Sequence, residues 1–105
     1  MLTINKPTIF FILTFILLTT QNAFANEELA KSNNCLLCHS VDNKVVGPAF
    51  KDIAAKYKGV DGAAEALASK VKNGTSGTWG NVAMPPNSGV SDEDIQTLVK
   101  WILSL

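Results

Sequence analysis

Size is the first constraint on this chain. Of its 105 residues, the first 25 read as an export signal, which leaves 80, residues 26–105, to fold. Lys6 supplies a short positive region, residues 9–18 are apolar except for Thr14, and Ala23-Phe24-Ala25 places small residues at the two positions a signal peptidase reads. The apolar run falls short of the ~20 residues of a membrane-spanning helix and ends in polar Thr19, Thr20, Gln21 and Asn22. Cleavage after Ala25 and delivery to the periplasm are therefore expected, with no membrane anchor retained. A domain below about 70–80 residues rarely draws more than about 3–5 kcal/mol from its apolar core, so it needs a staple: disulfides, a metal or a cofactor. Two cysteines allow one disulfide, and these lie three apart, a poor way to close a large loop. A large apolar cofactor is the more economical staple, because it becomes part of the core.

Charge narrows the partners. Residues 26–105 hold eight Lys, no Arg and nine Asp or Glu, a net charge of −1. No basic cluster marks a nucleic-acid surface, and no run of like charge marks a disordered tail.

The hydrophobic pattern predicts an all-α domain of about four short helices, with no repeat and no convincing strand. Residues 27–34 read as a helix with acidic residues at its start, where they complement the helix dipole. Phe50, Ile53, Ala54 and Tyr57 fall on one helical face, as do Ala64, Leu67, Ala68 and Val71, the latter after Asp61 as N-cap and before Gly74 as stop. In the last helix Ser91 and Asp94 resemble a capping box, and Ile95, Leu98, Val99 and Ile102 form a stripe with Trp101 beside it, assigned to packing. Between Asn73 and Ser91, Gly74, Gly77, Gly80, Pro85, Pro86 and Gly89 forbid a helix. A loop this long in so small a domain is usually functional, and its own side chains look insufficient to organise it.

Cys35-Leu36-Leu37-Cys38-His39 is C-x-x-C-H, the pattern of covalent haem attachment. On a helical turn, positions i, i+3 and i+4 share a face. Cys35 and Cys38 are thus placed to form thioethers with two vinyl groups on one haem edge, and His39 to aim a ring nitrogen at the iron. Competing uses of the motif fit less well. A zinc site takes four ligands as a rule, and the chain has two Cys and one His. A thioredoxin-like pair belongs to a β-α-β pattern, and a plain disulfide leaves the following His unexplained.

The sixth iron position points to Met84, the only methionine after the signal, 45 residues beyond His39. Pro85 and Pro86 push it into extended geometry and stiffen the strap that carries it. Methionine is more often core filler, but this one is unique and precedes a Pro-Pro pair. An iron held on both sides, by His39 and Met84, has no open site for oxygen or peroxide. What remains is reversible one-electron change, at a potential raised by Met/His ligation.

The chain resembles the small bacterial class I cytochromes c of the c-551/c-552 type. The residues that carry the resemblance are NNCLLCH at 33–39, VVGPAFKDIAAKY at 45–57, GTWGNVAMPPN at 77–87 and the closing KWILSL. It covers essentially all of residues 26–105, implying one monohaem domain wrapped around a single covalent haem c. The resemblance also implies supporting roles: Pro48 offers its backbone carbonyl to the far nitrogen of His39, Trp79 gives its indole N–H to a haem propionate, and Asn87 hydrogen-bonds the Met84 sulfur. From the residues alone, Gly47-Pro48 reads as an ordinary turn, Trp79 as core and Asn87 as loop-forming.

The expected function is a monomeric periplasmic electron carrier of the respiratory chain, not an enzyme. The resemblance implies membrane bc-type donors, and nitrite reductases, peroxidases or terminal oxidases as acceptors. A haem enzyme or a haem-based ligand sensor are the rivals. The first needs distal acid–base groups, yet the chain has no second His and no Arg; the second needs Met84 to leave easily. Intact mass and a haem stain after denaturing electrophoresis test the attachment and the processing together. The expected result is a chain beginning at Asn26 that keeps its haem; haem lost to acid–acetone would refute the covalent link.

Overall fold

The computed structural model describes residues 21–105, with side chains from Phe24 onward; residues 1–20, most of the expected export signal, lie outside the described residues. The chain forms α1 (Gln21–Ser32), a 3-10 turn (Cys35–Leu37), α2 (Phe50–Tyr57), α3 (Ala63–Asn73) and α4 (Asp92–Leu103). Strand-like pairing among the described residues is limited to two isolated bridges, His39 with Lys44 and Thr75 with Met84. The architecture is the expected all-α one.

Local signals explain most of the helix ends. Ser91 caps α4, its Oγ accepting from the Asp94 N–H at 3.1 Å, and Asp92, Glu93 and Asp94 place negative charge on the first turn. Two boundaries differ from expectation. α1 starts at Gln21, before the expected cleavage point, and stops at Ser32; Asn34, at φ 61°, then turns the chain into the 3-10 turn. At the start of α3 the N-cap is Gly62, not Asp61. The chain reverses there through a bond from Ala63 N–H to the Val60 carbonyl. That turn needs φ 73° at the capping position, which glycine adopts without the cost of a Cβ.

α4 packs against the other three helices. Its apolar stripe serves two clusters. Leu98, Trp101 and Ile102 pack with Ala30 of α1 and Phe50 of α2, while Ile95 and Val99 pack with Leu67 of α3; Ile53 of α2 touches both groups. Each cluster is small, and no large side chain among the described residues is fully buried.

The breaker-rich loop is organised by the end of α3. The last turn of a helix leaves carbonyls without partners, and the Val71 carbonyl accepts from both the backbone N–H and the side-chain amide of Asn87, at 3.0 and 3.2 Å. Lys70 Nζ donates to Thr78 Oγ1 and Lys72 Nζ to the Val90 carbonyl, both at 3.1 Å. The expectation that the loop lacks its own means of order is corrected to this extent: two lysines, an asparagine and a helix end hang it from α3.

With two small clusters and no deep core, the protein chain alone is short of folding energy, and cofactor binding should supply much of it. The Cys35→Ala, Cys38→Ala double variant is expected to lose most helical signal and its sharp thermal transition, read by far-ultraviolet circular dichroism. Native-like helicity with cooperative melting would contradict this.

Candidate metal centre

The 3-10 turn sets the first group of side chains. Cys38 N–H and His39 N–H both donate to the Cys35 carbonyl, at 3.2 and 3.0 Å. One turn thereby carries both thiols and the imidazole. Cys35 is half-buried and Cys38 exposed, and both are free thiols. Burial pushes the Cys35 thiol up from its ordinary value, against a smaller lowering by a backbone hydrogen bond.

His39 is held from several directions. Its Nδ1 lies 2.7 Å from the Pro48 carbonyl oxygen. A carbonyl only accepts, so Nδ1 carries the proton and Nε2 is left with its lone pair for a metal. Gly47 N–H donates to the Cys38 carbonyl at 2.7 Å, and Phe50 N–H to the Ser40 carbonyl at 2.9 Å, so the 40–50 loop is tied back along the motif. The approach is close: a Cβ built on Gly47 would stand 2.5 Å from His39 Cε1 and 2.9 Å from Nδ1. Phe50 stacks on the imidazole, ring centroids 5.1 Å apart at 22°.

Met84 comes from the other segment. Its N–H donates to the Thr75 carbonyl at 2.8 Å and its carbonyl accepts from Thr75 N–H at 3.0 Å. A Cβ on Gly74 would meet the Met84 carbonyl oxygen at 2.7 Å, so glycine lets the two backbones close on each other. The Asn87 amide also donates to the Pro85 carbonyl at 3.1 Å; with its bond to Val71, the amide braces the strap on either side. Trp79 is partly exposed, and the Lys56 ammonium sits over its ring, 5.4 Å from the centroid.

All seven residues singled out from the sequence line one cleft of about 390 Å³: Cys35, Cys38, His39, Pro48, Trp79, Met84 and Asn87. Its walls are mainly apolar, with Leu67, Val71, Leu98, Val99 and Ile102 contributed by α3 and α4. The donor set fits haem: two free thiols on one turn, an imidazole with an open nitrogen, a soft thioether and an apolar slot. Among the described residues no group of three or more His, Cys, Asp or Glu is arranged to hold a bare metal ion. Three contributors escaped the sequence reading. Gly47 was visible only as half of a turn, Phe50 only as a core position of α2, and Thr75 carried no signal, because its pairing with Met84 is long-range.

The comparisons with known proteins agree with this geometry. The cytochrome c family model matches residues 25–105. Cytochrome c-552 of Nitrosomonas europaea is 57% identical over 89 residues, which span 85% of this chain and 86% of that protein. Cytochrome c-551 of Pseudomonas aeruginosa is 52% identical over 89 residues, 83% and 85% of the two chains. The crystal structure of wild-type Nitrosomonas europaea cytochrome c552 matches with a TM-score of 0.73 and 59% identity, covering 75% of this chain and 98% of that one.

The Gly47 contact yields a direct test. Gly47→Ala puts a methyl group into the imidazole, so either the ring or the 40–50 loop must move. Overpacking of this kind costs about 1–3 kcal/mol. Denaturant unfolding of the haem-loaded variant should show a loss in that range, with a changed visible spectrum where the ring yields.

Proposed function

The chain belongs to the cytochrome c family, small electron carriers with covalently bound haem c that work with redox proteins, and from that premise we propose that it is a soluble periplasmic carrier with His39 and Met84 as axial ligands. The observation that carries this reading is the convergence of the two tethered donors: His39, with Nδ1 committed to Pro48 and Nε2 open, and Met84, clamped by Thr75, line the same cleft. Bound there, haem c supplies a one-electron ferric–ferrous couple.

The chain's residues divide the work. Cys35 and Cys38 anchor the group covalently, so that it is not lost during repeated redox cycles. His39 binds the iron through Nε2, and the Pro48 carbonyl fixes its tautomer and raises its basicity. Met84 fills the remaining axial position and favours the ferrous state. Leu67, Leu98, Val99 and Ile102 keep water away and disfavour the additional charge of ferric iron, which raises the potential. Trp79 is assigned to a propionate and Asn87 to tuning at the Met84 sulfur. The latter role requires the amide to serve the sulfur as well as the carbonyls of Val71 and Pro85.

A carrier rather than an enzyme is favoured by the composition: with no second His and no Arg, the chain has none of the distal acid–base groups that peroxide activation uses. The export pattern at residues 1–25 supports the periplasm, with residues 26–105 as the working domain. Val46 and Val82 stand exposed on the lining of the cleft, and Leu37, in the attachment motif, is 73% exposed. An apolar rim of this kind suits brief, weak contact between redox proteins. The partners proposed are a bc-type donor and a nitrite reductase, peroxidase or terminal oxidase as acceptor, meeting a monomeric carrier.

Met84→Ala tests the reading. Loss of the thioether should lower the reduction potential by more than about 60 mV, a tenfold shift for one electron. It should also abolish the near-infrared band of methionine–ferric bonding and admit carbon monoxide. Asn87→Ala should move the potential less and keep that band. A Met84→Ala protein with the native spectrum and potential would refute His/Met ligation and require a different sixth ligand.

A further inference from the structure

Histidine rings are poorly oriented by their own torsions. The bond that turns an imidazole joins a tetrahedral carbon to a planar one, and its preference is broad. The Nδ1–H bond to the Pro48 carbonyl fixes which nitrogen faces the cleft, but a single hydrogen bond tolerates rocking of the ring about its direction. Something flat must hold the ring's face if its plane is to be defined.

Phe50 meets that need. It is the first residue of α2, and its backbone N–H is tied to the carbonyl of Ser40, the residue after His39. The helix start and the histidine therefore move together. The Phe50 side chain is 3% exposed, and its ring lies near-parallel to the imidazole at 22°, with centroids 5.1 Å apart, an offset stack. Behind it Trp101 of α4 stands edge-on, centroids 5.6 Å apart at 73°, and is itself 6% exposed. Buried aromatic rings in a close-packed interior have little room to turn, so α4 braces Phe50 and Phe50 braces the imidazole. The Trp101 indole N–H has no hydrogen-bond partner, which leaves packing as its visible role.

We propose that Phe50 is a positioning residue for His39: its buried ring, backed by Trp101, fixes the plane in which Nε2 is presented to the haem iron. The inference rests on the reading above that His39 is an iron ligand. A merely structural Phe50 would contribute stability alone. A positioning Phe50 also narrows the range of imidazole orientations, which the iron orbitals sense.

Three measurements on the haem-loaded protein decide between these. In the diamagnetic ferrous form, nuclear Overhauser contacts between the Phe50 ring protons and the His39 ring are expected; their absence would overturn the proposal without any variant. Phe50→Leu keeps a buried apolar group but no flat face. Its ferric electron paramagnetic resonance spectrum should show a shifted and broadened largest g value, and its potential should differ from wild type, while absorption stays low-spin and six-coordinate. Phe50→Tyr, which keeps the ring, should restore both quantities. If Phe50→Leu lowers Tm but leaves g values and potential at wild type, Phe50 is core alone and the proposal is wrong. If the wild-type protein itself shows no histidine-derived ligand resonances, the axial assignment of His39 fails, and the inference falls with it for that separate reason.

Discussion

The hydrogen bond from His39 Nδ1 to the Pro48 carbonyl, 2.7 Å long, couples the local conformation of the attachment motif to the rest of the fold. The motif is one turn of chain and decides little beyond itself. Once its imidazole is committed to Pro48, however, the 40–50 loop must fold back over it. Gly47 must come close enough that no side chain fits, and α2 must begin at Phe50 against the same ring. A donor–acceptor pair of this kind also settles the chemistry: the proton is on Nδ1, so the metal-facing nitrogen is Nε2. Fold direction and ligand identity follow from one contact.

The opposite wall depends on a different economy. A helix of eleven residues such as α3 ends with carbonyls in want of donors. The strap that carries Met84 supplies them: Asn87 reaches Val71 twice, through backbone and side chain, and Thr75 pairs with Met84 immediately past the helix end. A need created by secondary structure is met by the segment that positions a proposed ligand. The Pro85-Pro86 pair, lacking N–H donors, cannot compete for those carbonyls, so the donors on either side of it define the register.

How much of this could be read in advance follows from the range of each interaction. The α4 stripe and the Ser91 cap are set by neighbours three or four residues away, and both were legible. So was the attachment motif, whose chemistry needs its residues in consecutive turn positions. The start of α3 was misjudged because Asp61 is a plausible cap by type, whereas the turn through Val60 and Ala63 demands a left-handed backbone at Gly62. Gly47, Thr75 and Phe50 were missed as site residues for a common reason. Each acts through a contact made only after distant segments meet, and a glycine, a threonine and a phenylalanine each have commoner reasons to occur. Trp101 was correctly read as packing, but what it packs against, the ring that faces His39, is a tertiary fact.

The cleft has a consequence for how stability and function are linked. Leu98 and Ile102 belong to the cluster beneath Phe50, and Leu67 and Val99 to the cluster against α3, yet all four also line the cleft. The domain has no second store of buried apolar surface from which to compensate a change there. In a larger protein a wall residue can be altered at the cost of affinity alone, because the fold rests elsewhere. Here each wall residue contributes simultaneously to helix packing and to the apolar environment that sets the potential. Substitutions that tune the redox couple through these walls must therefore also change stability, whereas tuning through the strap at Asn87 or through the imidazole face at Phe50 reaches the iron by its ligands. Those two positions are where the fold leaves room for potential to vary while the packing of α3 on α4 is left intact.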